Sequence, residues 1–424
     1  MNAVSRSDSM RGGGRATGGH TADPITFDAF DAFDPSARAD PYPAYRRVRD
    51  AAALFPYEFG DVPVTLITRY EECAAILTGS DWGHGYAAGI SPFRDTTAAI
   101  PGSFVRMDPP EHGRYRKLVA KAFTPRLMAE MVPVAGQVVR DLVDAAVRRG
   151  ELDVLNDLAV PLAVAMVPVR LLGADPADGA LFREWQLAIA RGSDPDSLLG
   201  PDDVAARGTA AMECMGYFAR LIQQKKAHPT PDLLSALVSV SRAQLTEPEV
   251  IGIALLTLVA GMETSINLIG NGMLALLRNP VQLQLLRDNP ELIGPSLDEM
   301  LRYDAPTQFT IRVALADTTV GEHEFRRGDG VVVLTASASR DDRVYPEADT
   351  FDVTRYAGNR PARKHLGFSL GIHYCVGAPL ARIEAEAALG TLLDRASELE
   401  LATDTVEYRP SLIHRGIVSL PVAL

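Results

Sequence analysis

A lone cysteine, Cys375, stands in the run Phe368 to Gly377 (FSLGIHYCVG), directly before a helix-like stretch that opens at Ala378. Gly371 and Gly377 let the backbone fold tightly around the sulfur, taking φ values or close approaches that a side chain would forbid. Loop amides and the free N–H groups of the following helix then point at the sulfur, an arrangement that lowers a thiol pKa and favours the thiolate. The bland alternative is an inert buried thiol, the ordinary fate of a free cysteine.

With neither a partner cysteine nor CxxC spacing, such a thiolate suits a metal already held by something else, such as haem iron. A second chemical pair lies in Ala260-Gly261-Met262-Glu263-Thr264, inside a long apolar run. An acid beside an alcohol in those surroundings is costly unless something satisfies or uses it. The Thr264 hydroxyl is placed to bond the Ala260 carbonyl one turn back, loosening the helix ladder, and Gly261 leaves room for a groove. By itself the pair reads equally as a polar face toward a water-lined gap. Asp108 to Arg116 (DPPEHGRYR) puts His112 and Arg116 on one helical face. Glu299 and Arg302 have the i, i+3 spacing of an ion pair, which alone says little.

The elements that must position these residues are mostly helical. Periodicity predicts helices over 41–52, 70–78, 111–122, 132–149, 158–172, 178–192, 201–227, 246–278, 281–289, 292–304 and 377–395. Short strands are expected over 64–68, 309–314, 330–334 and 417–422. The fold class expected is therefore mainly α with a minor β region. Thr246-Glu247-Pro248-Glu249 has the marks of a capping box with proline in the first turn, and Asn279-Pro280 stops the helix. About 32 residues at ~1.5 Å each give a rod of roughly 48 Å. Apolar on all sides at its middle, it must run through the interior.

Composition bounds the function. The 424 residues are 47% hydrophobic and 23% charged, an ordinary globular balance, and the net charge of −12 sets nucleic acid aside as a partner. Cys73, Cys214 and Cys375 are odd in number and far apart, which argues against a disulfide framework and for a reducing compartment. Residues 1–24 have no apolar core and are expected to be a disordered tail ahead of a single domain over 25–424. The longest apolar run, Val250 to Met262, is too short to span a bilayer. A cytoplasmic protein with no membrane segment is the expectation.

From Tyr42 to Leu420 the chain resembles the cytochrome P450 monooxygenases, in the form of their soluble bacterial branch. The family pattern Phe-x-x-Gly-x-[His/Arg]-x-Cys-x-Gly is met by Phe368, Gly371, His373, Cys375 and Gly377. Ser369 departs from it, standing where the family usually carries a second glycine. The resemblance implies the P450 fold, with haem b between the long central helix and the cysteine loop with its following helix. Cys375 would be the axial ligand of the iron. Glu263 and Thr264 fall on the family's acid–alcohol signature, in which the alcohol holds the oxygen being activated and the acid serves a proton relay to O–O cleavage. His112, Arg116, Arg312 and His373 would meet the haem propionates. Glu299, Arg302 and Arg355 would form a structural triad supporting the cysteine loop.

The implied substrate pocket draws on Ile90 and Phe93, the helices over 170–220, and Leu256, Val259, Ala260, Phe309 and Ile413. Most of these are apolar, which suits a mid-sized, largely apolar molecule. The implied activity is insertion of one oxygen atom of O2 into a C–H or C=C bond, with specialised-metabolite (antibiotic-type) biosynthesis as the expected setting. Electrons would come from NAD(P)H through a separate ferredoxin reductase and ferredoxin. Two basic segments, Arg114, Arg116, Lys117, Lys121 and Arg126, then Arg360, Arg363 and Lys364, would offer the ferredoxin a positive face. The rivals are a peroxygenase or oxidative-coupling enzyme of the same fold, a non-catalytic activator homologue, and a haem-based sensor. Glu263 and Thr264 count against the peroxygenase, Cys375 against the activator, and the lack of an output domain against the sensor.

Overall fold

A computed structural model describes residues 35–424 apart from 60–61, 121–122, 192–193, 195–198 and 360. The tail expected over 1–24 lies outside the described residues. The first helices are α1 (Tyr42–Ala51), α2 (Tyr70–Thr78), α3 (Glu111–Ala120), α4 (Pro125–Arg149), α5 (Val160–Val164), α6 (Gly179–Arg191) and α7 (Pro201–Ala227). They are followed by α8 (Leu233–Gln244), α9 (Glu247–Leu277), α10 (Pro280–Asp288), α11 (Ile293–Tyr303), α12 (Thr335–Ala338) and α13 (Ala378–Arg395). Wide π-helical turns at Val154–Ala159 and Ala165–Leu171 flank α5, so one rod runs from Val154 to Leu171. Pro161 and Pro168 within it have no N–H to give to an α ladder.

The strands are β1 (Leu54–Phe59), β2 (Val62–Ile67), β3 (Trp82–Gly83), β4 (Glu151–Asp153) and β5 (Thr310–Ala314), then β6 (Thr318–Val320), β7 (His323–Phe325), β8 (Gly330–Val333), β9 (Glu400–Leu401) and β10 (Pro421–Ala423). Five of them make a sheet in the order β1-β2-β8-β5-β3, in which β2 and β8 run parallel and the other pairs antiparallel. Its register sets Arg312 opposite Val331 and Gly83 opposite Val313. A three-stranded sheet, β4-β10-β9, and the hairpin β6-β7 complete the β structure.

The central rod, α9, starts where its cap requires. Thr246 and Glu249 form the expected capping box, with the Thr246 N–H donating to Glu249 Oε2 at 2.6 Å. The same carboxylate binds Arg114 at 2.6 Å and accepts from the Tyr115 hydroxyl, tying α3 to the start of α9. Along the rod, α7, α6, α11 and α13 pack against it and bury most of its residues. By length and composition alone both α9 and the Val154–Leu171 rod would reach across a membrane, so the short apolar run at 250–262 does not decide the matter. Burial does: Glu263, Asn267 and Asn271 of α9 are buried among neighbouring helices, as in the core rod of a globular fold.

Two expected elements change their bounds, and helices and short strands that the sequence did not announce are added. Helix α4 begins at Pro125, not 132, with Thr124 Oγ1 capping the Leu127 N–H at 3.1 Å. Pro133 sits inside it, removing one donor without ending the helix. Helix α8 was not expected; its Val- and Ser-rich sequence carries weak helix propensity. The strand expected over 417–422 shrinks to Pro421–Ala423, because Asp153 takes the Ser419 hydroxyl at 2.7 Å and the Leu420 N–H at 3.1 Å.

Candidate active site

The cysteine loop is folded by its own backbone. The Cys375 N–H donates to the Phe368 carbonyl at 3.0 Å and the Tyr374 N–H to that of Gly371 at 3.1 Å. Gly371 has φ +65, and a Cβ there would stand 2.3 Å from the Leu77 carbonyl oxygen, so glycine is required on both counts. Gly377 corrects the expectation. Its φ is −83 and an added Cβ would meet Cys375 Sγ at an ordinary 3.9 Å, so neither strain nor crowding by the protein demands glycine there. Ser369 keeps the turn that a glycine would make: its φ is +61, and its hydroxyl is buried without a partner.

Around Cys375 the expected amides are present, from Gly377 and Ala378, with Arg116 nearby. Burial nevertheless outweighs them and holds the thiol above its ordinary value, contrary to the expectation of a lowered one. A metal cation held at the sulfur would supply the missing charge, since a coordinating thiol is deprotonated outright. Phe368 is buried against the Tyr374 ring at 6.3 Å, with the Arg382 guanidinium 5.5 Å from its own centroid.

Two clamps support this loop. The expected triad forms: Glu299 accepts from Arg302 Nε and Nη2 at 2.6 and 2.7 Å and from Arg355 Nε at 3.2 Å. Arg302 also donates to the carbonyls of Ala348 and Ser339, at 2.7 and 3.1 Å, so one buried guanidinium gathers the segment ahead of the cysteine loop. The second clamp was not anticipated. Asp298 of α11 binds Arg382 of α13 with both oxygens, at 2.5 and 3.1 Å, and His365 Nε2 at 2.9 Å. Although burial works against it, these two partners hold the Asp298 carboxyl down at about 2.

Across the cavity, the Thr264 hydroxyl donates to the Ala260 carbonyl at 2.7 Å. At Gly261 the Val154–Leu171 rod packs close, since a Cβ there would lie 3.1 Å from Val167. Glu263 is buried and turned away from the cavity. Its carboxylate accepts from Gln186 Nε2 of α6 and from Asn267 Nδ2, the latter at 2.9 Å.

One cavity is shared by Cys375, Phe368, Thr264, Ala260, Gly261 and Leu256, and its edge carries His112, Arg116, Arg312 and His373. The His112 and His373 rings lie 4.2 Å apart, and the Nε2 atom of each is buried without a partner. Arg116 donates to the Tyr374 carbonyl, and Arg312 Nη1 to Thr310 Oγ1 and the Ile311 carbonyl, at 2.8 and 2.7 Å. Burial, then Arg312, His112, Arg116 and Arg106, push the His373 pKa down to about 2. Burial and Arg106, offset by Asp108, lower that of Arg312 to about 10. The cluster is thus crowded with donors that an anion would satisfy.

The substrate-pocket expectations divide. Leu256 and Ala260 line the cavity, but Val259, Phe309 and Ile413 do not. Val259 lies one residue before Ala260, about 100° around the helix, and packs into the main core. Phe309, Ile413, Ile90 and Phe93 belong to a separate apolar cluster, where Phe309 meets the Phe59 ring edge-on at 5.7 Å. Leu171 comes from the expected 170–220 stretch, while wall residues that the sequence did not single out include Val167, Thr257 and Thr307, together with His84 and Arg106. The apolar ones carry no signal in sequence that separates a cavity wall from a core.

The sequence profile of the family described as Cytochrome P450 matches residues 207–418. The cytochrome P450 monooxygenase PikC of Streptomyces venezuelae is 37% identical over 418 residues, covering 96% of each chain. The chain belongs to the cytochrome P450 family. The 6-deoxyerythronolide B hydroxylase of Saccharopolyspora erythraea is 34% identical, covering 93% of this chain and 98% of that one. A crystal structure of P450BioI in complex with hexadec-9Z-enoic acid ligated acyl carrier protein superposes with a TM-score of 0.84 at 33% identity. It covers 92% of this chain and 100% of that one. As a cytochrome P450 the protein is an oxidoreductase of the monooxygenase kind, and the family's cofactor is haem. The residues present fit that group: a cysteine sulfur and a threonine hydroxyl share one cavity, with unpaired buried imidazole nitrogens and guanidinium groups at its edge.

Proposed function

We propose that this cytochrome P450 hydroxylates or epoxidises a mid-sized, largely apolar molecule of specialised metabolism. The observation that carries the reading is the single cavity bounded by Cys375, Thr264 and the apolar side chains Leu256, Val167 and Leu171. Haem, when bound, supplies the reduction of dioxygen and the transfer of one oxygen atom. Cys375 would hold its iron, with His112, Arg116, Arg312 and His373 on its carboxylates. The Thr264 hydroxyl, already bonded to Ala260, would hold and pass a proton at the cavity wall. Glu263, held away from the cavity by Gln186 and Asn267, would serve that hydroxyl only after a side-chain rotation that brings its carboxyl to the wall. The 6-deoxyerythronolide B hydroxylase and the polyketide biosynthesis cytochrome P450 PksS of Bacillus subtilis support a specialised-metabolite substrate.

Electrons would arrive from NAD(P)H through a ferredoxin reductase and an acidic ferredoxin. The proposed face is narrower than the sequence suggested. Arg114, Arg126 and Arg363 are engaged by Glu249, Glu130 and Glu71, and Arg116 by the Tyr374 carbonyl. Lys121 and Arg360 lie outside the described residues. Lys117 and Lys364 are exposed, and Lys364 Nζ stands 3.8 Å from the Tyr374 ring, the residue before Cys375.

The test is product analysis with polyketides, terpenes and fatty acids, the last both free and carrier-bound, using a surrogate ferredoxin pair. A product heavier by one oxygen atom, labelled from 18O2 and lost in Thr264→Ala, supports the reading. Oxygenation driven equally well by peroxide without a reductase would favour the peroxygenase instead.

A further inference from the structure

His84 is 2% exposed, and neither of its ring nitrogens, Nδ1 nor Nε2, has a hydrogen-bond partner. A buried imidazole with both nitrogens unmet demands an explanation. Its surroundings supply one. The His84 ring stands edge-on to that of His373 with centroids 5.2 Å apart, and His373 in turn stands 4.2 Å from His112. All three imidazoles line the same cavity as Arg106, Arg116 and Arg312. The carboxylates beside this cluster are already engaged: Asp95 pairs with Arg106 at 2.7 Å, and Asp108 binds backbone amides. Burial, followed by Arg312, Arg106, His373 and His112, holds the His84 imidazole well below its usual pKa.

The turn that carries His84 is built for fixed placement. Gly83 pairs with Val313 of β5, next to Arg312. The Asp108 carboxylate, four residues before His112, accepts from the N–H groups of His84 and Gly85 at 2.7 and 2.8 Å. A Cβ at Gly83 would stand 2.3 Å from Asp108 Oδ1, and Gly85 turns the chain with φ +70. One carboxylate thus locks the β3 turn to the segment leading into α3, while the sheet locks it to β5. His84, His112 and Arg312 are held in fixed relation by backbone bonds.

We propose that His84 is a further partner for a carboxylate of the bound porphyrin, donating an imidazole N–H beside His112, Arg116, Arg312 and His373. The assignment rests on the haem reading above and adds to it a residue from the β3 turn. Charge-assisted bonds of this kind are stronger than neutral ones, and the group gains the partner that burial denies it. The competing account is that His84 only packs, stacked on Tyr86 with centroids 6.2 Å apart.

The experiment follows haem loss from the full chain to an excess of a haem-scavenging globin, read from the Soret band. The variants are His84→Phe and His84→Gln. Each is loaded either with haem or with haem dimethyl ester, whose two carboxylates are blocked. His84→Phe should lose haem roughly 10-fold faster or more, the loss of one bond to a charged group. His84→Gln, which keeps a donor, should fall between it and the wild type. The dimethyl ester should leave all three proteins at the same rate. Equal haem loss from His84→Phe and wild type overturns the assignment, as does an equally large effect on the ester, which would mark a packing role. A wild-type chain that takes up no haem overturns the cofactor reading itself, and this assignment with it.

Discussion

The hydroxyl of Thr264 and the carbonyl of Ala260 are joined across one turn of α9 by a 2.7 Å hydrogen bond, on the wall of the cavity that also holds Cys375. That bond fixes the hydroxyl oxygen at the wall, where it has acceptor capacity left for a second partner. Thr264→Ala removes the hydroxyl without touching the cysteine loop. Substrate binding and the thiolate signature should persist, while product formation falls ~10²-fold and electrons drain to hydrogen peroxide. The check is the ratio of product formed to NAD(P)H consumed; an unchanged ratio rejects the proton-handling role.

Ser369 holds a left-handed conformation, φ +61, at the turn ahead of Cys375, and its hydroxyl is buried unpaired. A non-glycine residue there costs about 1–2 kcal/mol of backbone strain. Ser369→Gly should therefore raise stability by up to about 1 kcal/mol, after the extra entropy of glycine in the unfolded chain is deducted. A urea titration of the haem-loaded protein measures it, and a lower midpoint contradicts the account.

How far the sequence disclosed the molecule depends on the range of the signal. The start of α9 and the turn of the cysteine loop were legible, because Thr246 and Glu249, or Gly371 and Cys375, act within a few residues of one another. The side chains behind the cavity were not. Val259, Phe309 and Ile413 are apolar residues whose facing is set by neighbours distant in sequence, and an apolar residue reads alike on a cavity wall and in a core. The Asp298 clamp was invisible for the same reason, its partners lying 67 and 84 residues away.

That clamp makes a pH prediction. The folded-state pKa of Asp298, about 2, is below its unfolded value of 3.8. The stability it contributes is present above pH about 4 and is lost as the pH falls toward 2. Asp298→Asn should lower stability by roughly 1–3 kcal/mol at neutral pH, and the gap to wild type should narrow on acidification through that window. His365, which burial keeps below its ordinary pKa despite Asp298, is the control: His365→Gln in both backgrounds shows which part of the profile is its own. A gap independent of pH contradicts the clamp.

Lys117 and Lys364 are exposed cations of the proposed ferredoxin face, whereas its exposed Arg114, Arg126 and Arg363 are ion-paired. Reversing both, with Lys117→Glu and Lys364→Glu, should slow reduction by ferredoxin several-fold at low ionic strength. The difference should fade above about 0.1 M salt, where the screening length drops to ~10 Å. Reduction by dithionite should be unaltered. Equal ferredoxin turnover at low salt places docking elsewhere.

Ligation of a haem iron by Cys375 is read from the absorbance of the reduced carbon monoxide complex. Cys73 and Cys214 are buried thiols whose pKa values burial raises, and Cys73 is bonded to the Ile67 carbonyl at 3.3 Å. Wild type, Cys73→Ala and Cys214→Ala should all show the red-shifted Soret band of a thiolate-ligated haem, and Cys375→Ala should not. A red-shifted band that survives in Cys375→Ala would contradict the account.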